Sequence, residues 1–164
     1  MSKADLDKLV AQFPSAIVST HSKCGDDTAV IRSETLLDVM RWLKSSLGYD
    51  FLVDVTAVDF LGRDPRFEVV YHLRSMQSGS RLRVKAQLAC VEEGPNPTIA
   101  SVVSIWPAAN WPEREVWDMF GIKFAGHPDL RRVLMYEEFV GHPLRKDYPK
   151  EKRQPLIRRD YSME

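Results

Sequence analysis

Three runs of residues, FLVDVTAVDF (51 to 60), RFEVVYHLR (66 to 74) and RLRVKAQLACV (81 to 91), are joined only by LGRDP and SMQSGS. Links this short, built from Gly, Pro, Asp and Ser, turn a chain back on itself but cannot carry a parallel crossover. The runs therefore predict an antiparallel meander. In the third run Leu82, Val84, Ala86, Leu88 and Cys90 alternate with Arg81, Arg83, Lys85 and Gln87. One face meets a core and the other meets water or a partner.

Helices to cover that core are legible on both sides of the meander. Leu6, Leu9, Val10 and Phe13 fall at i, i+3, i+4 and i+7, with Ser2 as a cap and Pro14 as a stop. After a strand around Ala29 to Ile31, Ser33 is placed to cap a helix whose Leu36, Leu37, Met40, Leu43 and Leu47 form one stripe ending at Gly48. Beyond EEGPNP, Ile99, Val102, Val103 and Trp106 repeat the helical spacing between Pro97 and Pro107. A last helix follows, capped by Asn110 with Glu113 three residues on and leaving through Gly121. The order is α, β, α, βββ, α, α and then a long irregular end, an α+β pattern with an antiparallel sheet of three or more strands. A chain of 164 residues has one domain's length and buries roughly 70% of its unfolded surface.

Composition removes several functions. Lys plus Arg equals Asp plus Glu at 23 each, so there is no general pull toward nucleic acid or an anionic membrane. The distribution is uneven: residues 1 to 60 hold nine acids and six bases, whereas 145 to 164 hold seven bases and four acids. Cys24 and Cys90 have no CxxC or Cys/His spacing and read as reduced, buried thiols rather than cluster or zinc ligands. No apolar run approaches the ~20 residues of a membrane span, and MSKADLDKLV lacks an apolar leader, which points to a reducing, cytoplasmic compartment. Neither GxGxxG nor GxxxxGK[ST] occurs.

The stretch WPEREVWDMFGIKFAGHPDLRR (111 to 132) carries the densest chemistry. Glu113 and Glu115 sit in a first helical turn, where the dipole favours anions, and Arg114 can reach Asp118 at i+4. Glu115 and Asp118 at i+3 are the one pair suited to a two-carboxylate hydrolase, but an arginine beside them favours the ionised form over a proton donor. GHP occurs twice, at 126 to 128 and 141 to 143, and His127 and His142 with Asp129 and Asp147 are candidate metal ligands. Each His precedes Pro, which favours extended backbone over the helical pairing of HExxH, so turn histidines bonded to backbone are the expectation. Arg131 and Arg132 are expected on a short extended segment, paired with acids.

EREVWDMFGIKFAGHPDLRRVLM followed by GHPLRKDYP resembles the signature of the thirty-kilodalton subunit family of respiratory complex I, whose bacterial members are the C subunit of NADH:quinone oxidoreductase. Where family members often have Asp-Trp before the second GHP, this chain has Glu138 and Phe139. The resemblance implies a cofactor-free subunit of the peripheral arm. It implies partners too: the forty-nine-kilodalton quinone-site subunit and the twenty-kilodalton iron–sulfur subunit, with FMN, iron–sulfur clusters, NADH and quinone held by other subunits, on the cytoplasmic side of the membrane. The alternatives are the equivalent subunit of a membrane-bound hydrogenase or another quinone-linked dehydrogenase and, more distantly, a metal-dependent hydrolase. Carried over by position, the interface motif is Glu113, Arg114, Glu115, Asp118, His127, Asp129, Arg131, Arg132, His142, Arg145, Lys146, Asp147 and Tyr148.

The domain is expected to run from 1 to 143 and a partner-binding tail from 144 to 164. The last twenty residues have no helical apolar repeat and need a surface from elsewhere. Tyr148, Leu156, Ile157 and Tyr161 are the anchors such a tail offers.

Overall fold

The computed structural model describes residues 3–89 and 96–154. In chain order the elements are α1 (Lys3–Gln12), β1 (Ile17–His21), β2 (Thr28–Arg32), α2 (Leu36–Leu47), β3 (Phe51–Asp59), β4 (Phe67–Arg74), β5 (Arg81–Leu88), β6 (Thr98–Ala100), α3 (Asn110–Phe120) and β7 (Lys123–Ala125). The expected meander is β3, β4 and β5, paired antiparallel, with Val69 opposite Ala86 and Ala57 opposite Val69. It is embedded in a five-stranded sheet of order β1-β2-β5-β4-β3, in which β2 runs parallel to β5. The α+β class holds. Strand β1 carries no legible apolar alternation because it is an edge strand whose three central residues face solvent.

One face of the sheet supplies Ala29, Ile31, Val55, Phe67, Tyr71, Val84 and their neighbours to a single core, joined by Leu6 and Leu9 of α1 and by Leu36, Val39, Met40 and Leu43 of α2. Each Val, Leu, Ile, Phe or Met among them contributes roughly 1.5–3 kcal/mol through its removal from water. Phe13 meets Trp42 edge-on at 5.7 Å and fastens the end of α1 to α2. Val10, the outermost member of the first stripe, is exposed, and Leu37 and Leu47 are only half-buried. No helix among the described residues is long and apolar enough to cross a membrane.

Several local expectations are corrected. The apolar repeat at 99 to 106 does not form a helix: Ile99 enters β6, which pairs parallel with β7, opposite Phe124. Only one turn follows, with Trp106 N bonded to Val102 O at 2.9 Å. Burial of Ile99, Val102 and Trp106 is as the spacing implies, but a β-branched residue beside another strand gains a ladder that a lone helix cannot supply. Pro107 opens a 3-10 turn leading into α3 rather than closing a helix. Asn110 already has helical dihedrals, so Ala109 is the N-cap. Ser33 likewise begins a 3-10 turn and bonds Glu34, while Thr35 takes the cap position of α2. Gly48 and Gly121 leave their helices in the left-handed conformation, as expected. Cys24 is exposed rather than buried, on a left-handed turn before β2. Ser2 and Cys90 lie outside the described residues.

Candidate functional site

Helix α3 is the axis around which the charged motif is built. Beyond β7 the described chain forms no further helix or strand through Gln154. Its backbone groups therefore need side-chain partners, and α3 provides the central one. Asp118 is fully buried; its Oδ2 accepts from the N–H groups of Val133 (3.1 Å), Leu134 (2.9 Å) and Met135 (2.9 Å), and its Oδ1 accepts from Arg132. Burial alone would raise this carboxyl's pKa, but the donors from Met135, Leu134, Arg132 and Val133 outweigh it and hold it below the carboxylate range.

Arg132 continues the scaffold, donating to Phe139 O (2.8 Å) and Gly141 O (3.3 Å) and lying over the rings of Trp117 and Phe139. Arg114 does not reach Asp118, as helical spacing allows it to; buried, it donates instead to the carbonyls of Arg131 (3.1 Å) and Arg132 (3.2 Å) and stacks on Trp111. Asp118 is already filled by partners 14 to 17 positions ahead. Glu113 is no capping residue either. It is fully buried and accepts from Ser101 Oγ (2.6 Å) and Val102 N (2.7 Å), tying α3 to the turn after β6. Burial, opposed by those two bonds, raises its pKa to about 7.

Both GHP histidines bond backbone. Asp129 N–H donates to His127 Nδ1 (3.0 Å), which assigns the proton to Nε2 and lets it donate to Asn110 O (3.0 Å). His142 Nδ1 donates to Asp118 O (2.9 Å), and its ring sits where a Cβ on Gly121 would approach to 2.6 Å. Burial, reinforced by Arg132 and Arg145, holds His142 below the usual imidazole range despite its bond to Asp118.

Residues 144–154, on the far side of the boundary expected at Pro143, also bond to the preceding residues. Leu144 N bonds Met119 O (3.1 Å) and Lys146 N bonds Asp59 Oδ2 (2.8 Å). Arg66, buried, grips Asp59 through two 2.8 Å bonds and Asp147 at 2.9 Å, while Arg145 also pairs with Asp147. Tyr148 stacks on Phe139 with ring centres 6.0 Å apart, its hydroxyl accepts from Gln154, and Gln154 holds the backbone of Val140. Leu156, Ile157 and Tyr161 fall outside the described residues.

The thirteen motif residues thus separate by direction. Arg114, Asp118, His127, Arg132, His142, Arg145, Asp147 and Tyr148 hold the irregular segment together, Glu113 ties α3 to the turn after β6, and Glu115, Asp129, Arg131 and Lys146 face solvent. Glu115 and Asp118 share no cleft, because one is exposed and the other enclosed by four donors. Asp59 and Arg66 are as central as any motif residue, yet sequence reasoning does not single them out; an Asp closing one apolar strand and an Arg opening the next are the available signal. Large apolar side chains stand out beside the scaffold: Trp111 is 67% exposed, Val140 61%, Leu134 55% and Leu144 54%.

Residues 29–154 match the family described as respiratory-chain NADH dehydrogenase, 30 Kd subunit. The chain belongs to this family. Relatives named as the C subunit of NADH-quinone oxidoreductase include that of Citrifermentans bemidjiense, 48% identical over 142 residues covering 87% of this chain and 86% of the relative. That of Rhodobacter capsulatus is 49% identical over 148 residues, covering 88% and 72%. A chain in the structure of the membrane-bound sulfane sulfur reductase, an archaeal respiratory membrane complex, superposes with a TM-score of 0.75 at 24% identity, covering 91% of this chain and 86% of that one. That likeness concerns the fold alone. In this member of the family the buried charges of the signature stretch bond within the chain.

Proposed function

We propose that this chain is the C subunit of a proton-translocating NADH:quinone oxidoreductase, a non-catalytic, cofactor-free member of the peripheral arm. It seats the face formed by α3 and the irregular segment against the forty-nine-kilodalton quinone-site subunit, close to the twenty-kilodalton iron–sulfur subunit, on the cytoplasmic side of the membrane. FMN, the iron–sulfur clusters, NADH and quinone are handled by other subunits, and this chain supports electron transfer to quinone through assembly. The observation that carries the reading is the division of the motif in a chain of this family. Arg114, Asp118 and Arg132 are committed to shaping the irregular segment, and that segment together with α3 presents Trp111, Leu134, Val140 and Leu144 among Glu115, Asp129, Arg131 and Lys146. Apolar anchors with a charged rim are the anatomy of a protein interface.

The test compares the two neighbouring arginines. Arg132→Ala removes the scaffold and is expected to lower recovery of assembled complex, with quinone reductase turnover per assembled complex unchanged. Arg131→Ala, at an exposed position, leaves the fold intact and weakens assembly only through rim contacts. Normal assembly of Arg132→Ala with slow turnover would overturn the non-catalytic reading.

A further inference from the structure

The sheet face turned away from the core carries a cleft of about 380 Å³ that the charged motif does not touch, lined by Asp26, Asp27, Val53, Leu73 and Leu82 with His72, Arg74, Arg81 and Arg83. It crosses the strands at the turn end of the β4–β5 hairpin. There two successive cross-strand pairs are built from basic residues, Arg74 opposite Arg81 and His72 opposite Arg83. Like charges directly opposite one another on an antiparallel pair repel, and the neighbouring basic residues on this face are relieved of it by acids. Lys85 is bonded to Glu68 at 2.9 Å and Arg83 to Asp26 at 2.9 Å. Among the described residues neither Arg74 nor Arg81 has an acid partner, and the Nε of Arg74 is enclosed with no acceptor at all. Two arginines that face each other with no acid of the described chain between them leave guanidinium N–H donors for an external anion.

We propose that this cleft receives an acidic peptide segment of a partner polypeptide, an Asp or Glu carboxylate lying across Arg74 and Arg81 and an apolar neighbour resting on Val53. Two parallel N–H bonds from a guanidinium match a carboxylate. Asp26 and Asp27 at the same cleft disfavour a compact, multiply charged anion far more than a single carboxylate. Val53, exposed at the same cleft, gives an apolar contact that a free anion does not use. The mixture of acids and bases is also unlike the uniformly basic patches that hold anionic membranes. That the partner is another subunit rests on the reading above; the cleft's preference for a carboxylate-bearing peptide does not, and the isolated full chain tests it separately.

The probe is an end-blocked octapeptide with three Glu and two Leu among Gly, titrated into ¹⁵N-labelled chain at low salt while the Arg74 Nε–H and the amides of Val53 and Arg81 are followed. Saturable shifts at these groups are expected, with affinity at least tenfold weaker for the same peptide carrying Gln in place of Glu. Arg74→Gln with Arg81→Gln should abolish them. Arg81→Glu, a single change at an exposed position, should set an internal carboxylate across from Arg74, raising the melting temperature while cutting peptide affinity at least tenfold. Equal binding of the Gln peptide, or no shift at Arg74 and Val53, overturns the proposal. So does displacement of the peptide by inorganic phosphate at equal concentration, which would make this a small-anion site. Binding to phosphatidylglycerol vesicles that the double variant abolishes would make it a membrane surface instead.

Discussion

Asp118 and Glu113 are both fully buried on α3, yet their surroundings push them in opposite directions. Asp118 faces four donors and stays ionised; removing it strands Arg132 and three N–H groups, so Asp118→Ala is expected to cost about 3–5 kcal/mol in chemical denaturation. A loss under about 1 kcal/mol would sink the scaffold account. Glu113 has two donors and the enclosed Tyr71 hydroxyl in its field. Its pKa is raised from 4.5 to about 7. Folding therefore favours the protonated form: the stability contribution is complete below 4.5 and is lost as pH rises through about 7, on the order of 3 kcal/mol in all. His142 and His72, depressed from 6.5, act with the opposite sign and lose stability as pH falls below that value. The readout is thus the difference between wild type and Glu113→Gln in urea melts from pH 4.5 to 8. That difference should shift toward the variant with rising pH. Parallel pH curves for the two proteins would show that Glu113 does not titrate in this window.

At the scale of elements, the two helix exits offer a controlled comparison. Gly48 (φ 69°) and Gly121 (φ 78°) both occupy the left-handed region, where a side chain costs about 1–2 kcal/mol. A Cβ at Gly48 meets only Ser75 Oγ at 4.0 Å, whereas at Gly121 it falls 2.6 Å from the His142 ring. Gly48→Ala should therefore lose only the backbone term. Gly121→Ala should lose more and also perturb the near-ultraviolet circular dichroism of the Trp117–Phe139–Tyr148 aromatic group, since displacing His142 disturbs the segment wound around Arg132. Equal losses for the two variants would mean that His142 yields without cost.

For the whole molecule, the Asp59–Arg66–Asp147 triad joins the stretch after Pro143 to the sheet. A chain cut after Pro143 loses the bonds from Leu144 and Lys146, and Arg66 loses one of its two carboxylates. It is expected to melt several degrees lower, as a loss of about 1–2 kcal/mol does in a chain of this size. A cut after Gln154 should leave the melting temperature unchanged, so any fall in recovery of the assembled complex would report the last ten residues as a partner contact. If the Pro143 cut melts like the full chain, the triad is not holding the segment.

Much of this architecture was legible because it is local. Alternation along β3–β5, the apolar stripes of α1 and α2 and the two glycine exits each depend on residues a few positions apart, where side-chain geometry alone dictates the outcome. The signature blocks at 113 to 135 and 141 to 149 marked the family for the same reason. Tertiary structure decided what those residues bond to. Asp118 took Arg132 and the backbone at 133 to 135 instead of Arg114 four residues away, and Lys146 N found Asp59 across 87 positions. The parallel pairing of β2 with β5 and the strand formed at Ile99 were equally nonlocal. Periodicity reports which side chains must leave water, but a buried charge or an unpaired backbone group is satisfied by whatever donor or acceptor the packed chain brings to it. That partner is set by the arrangement of the whole domain.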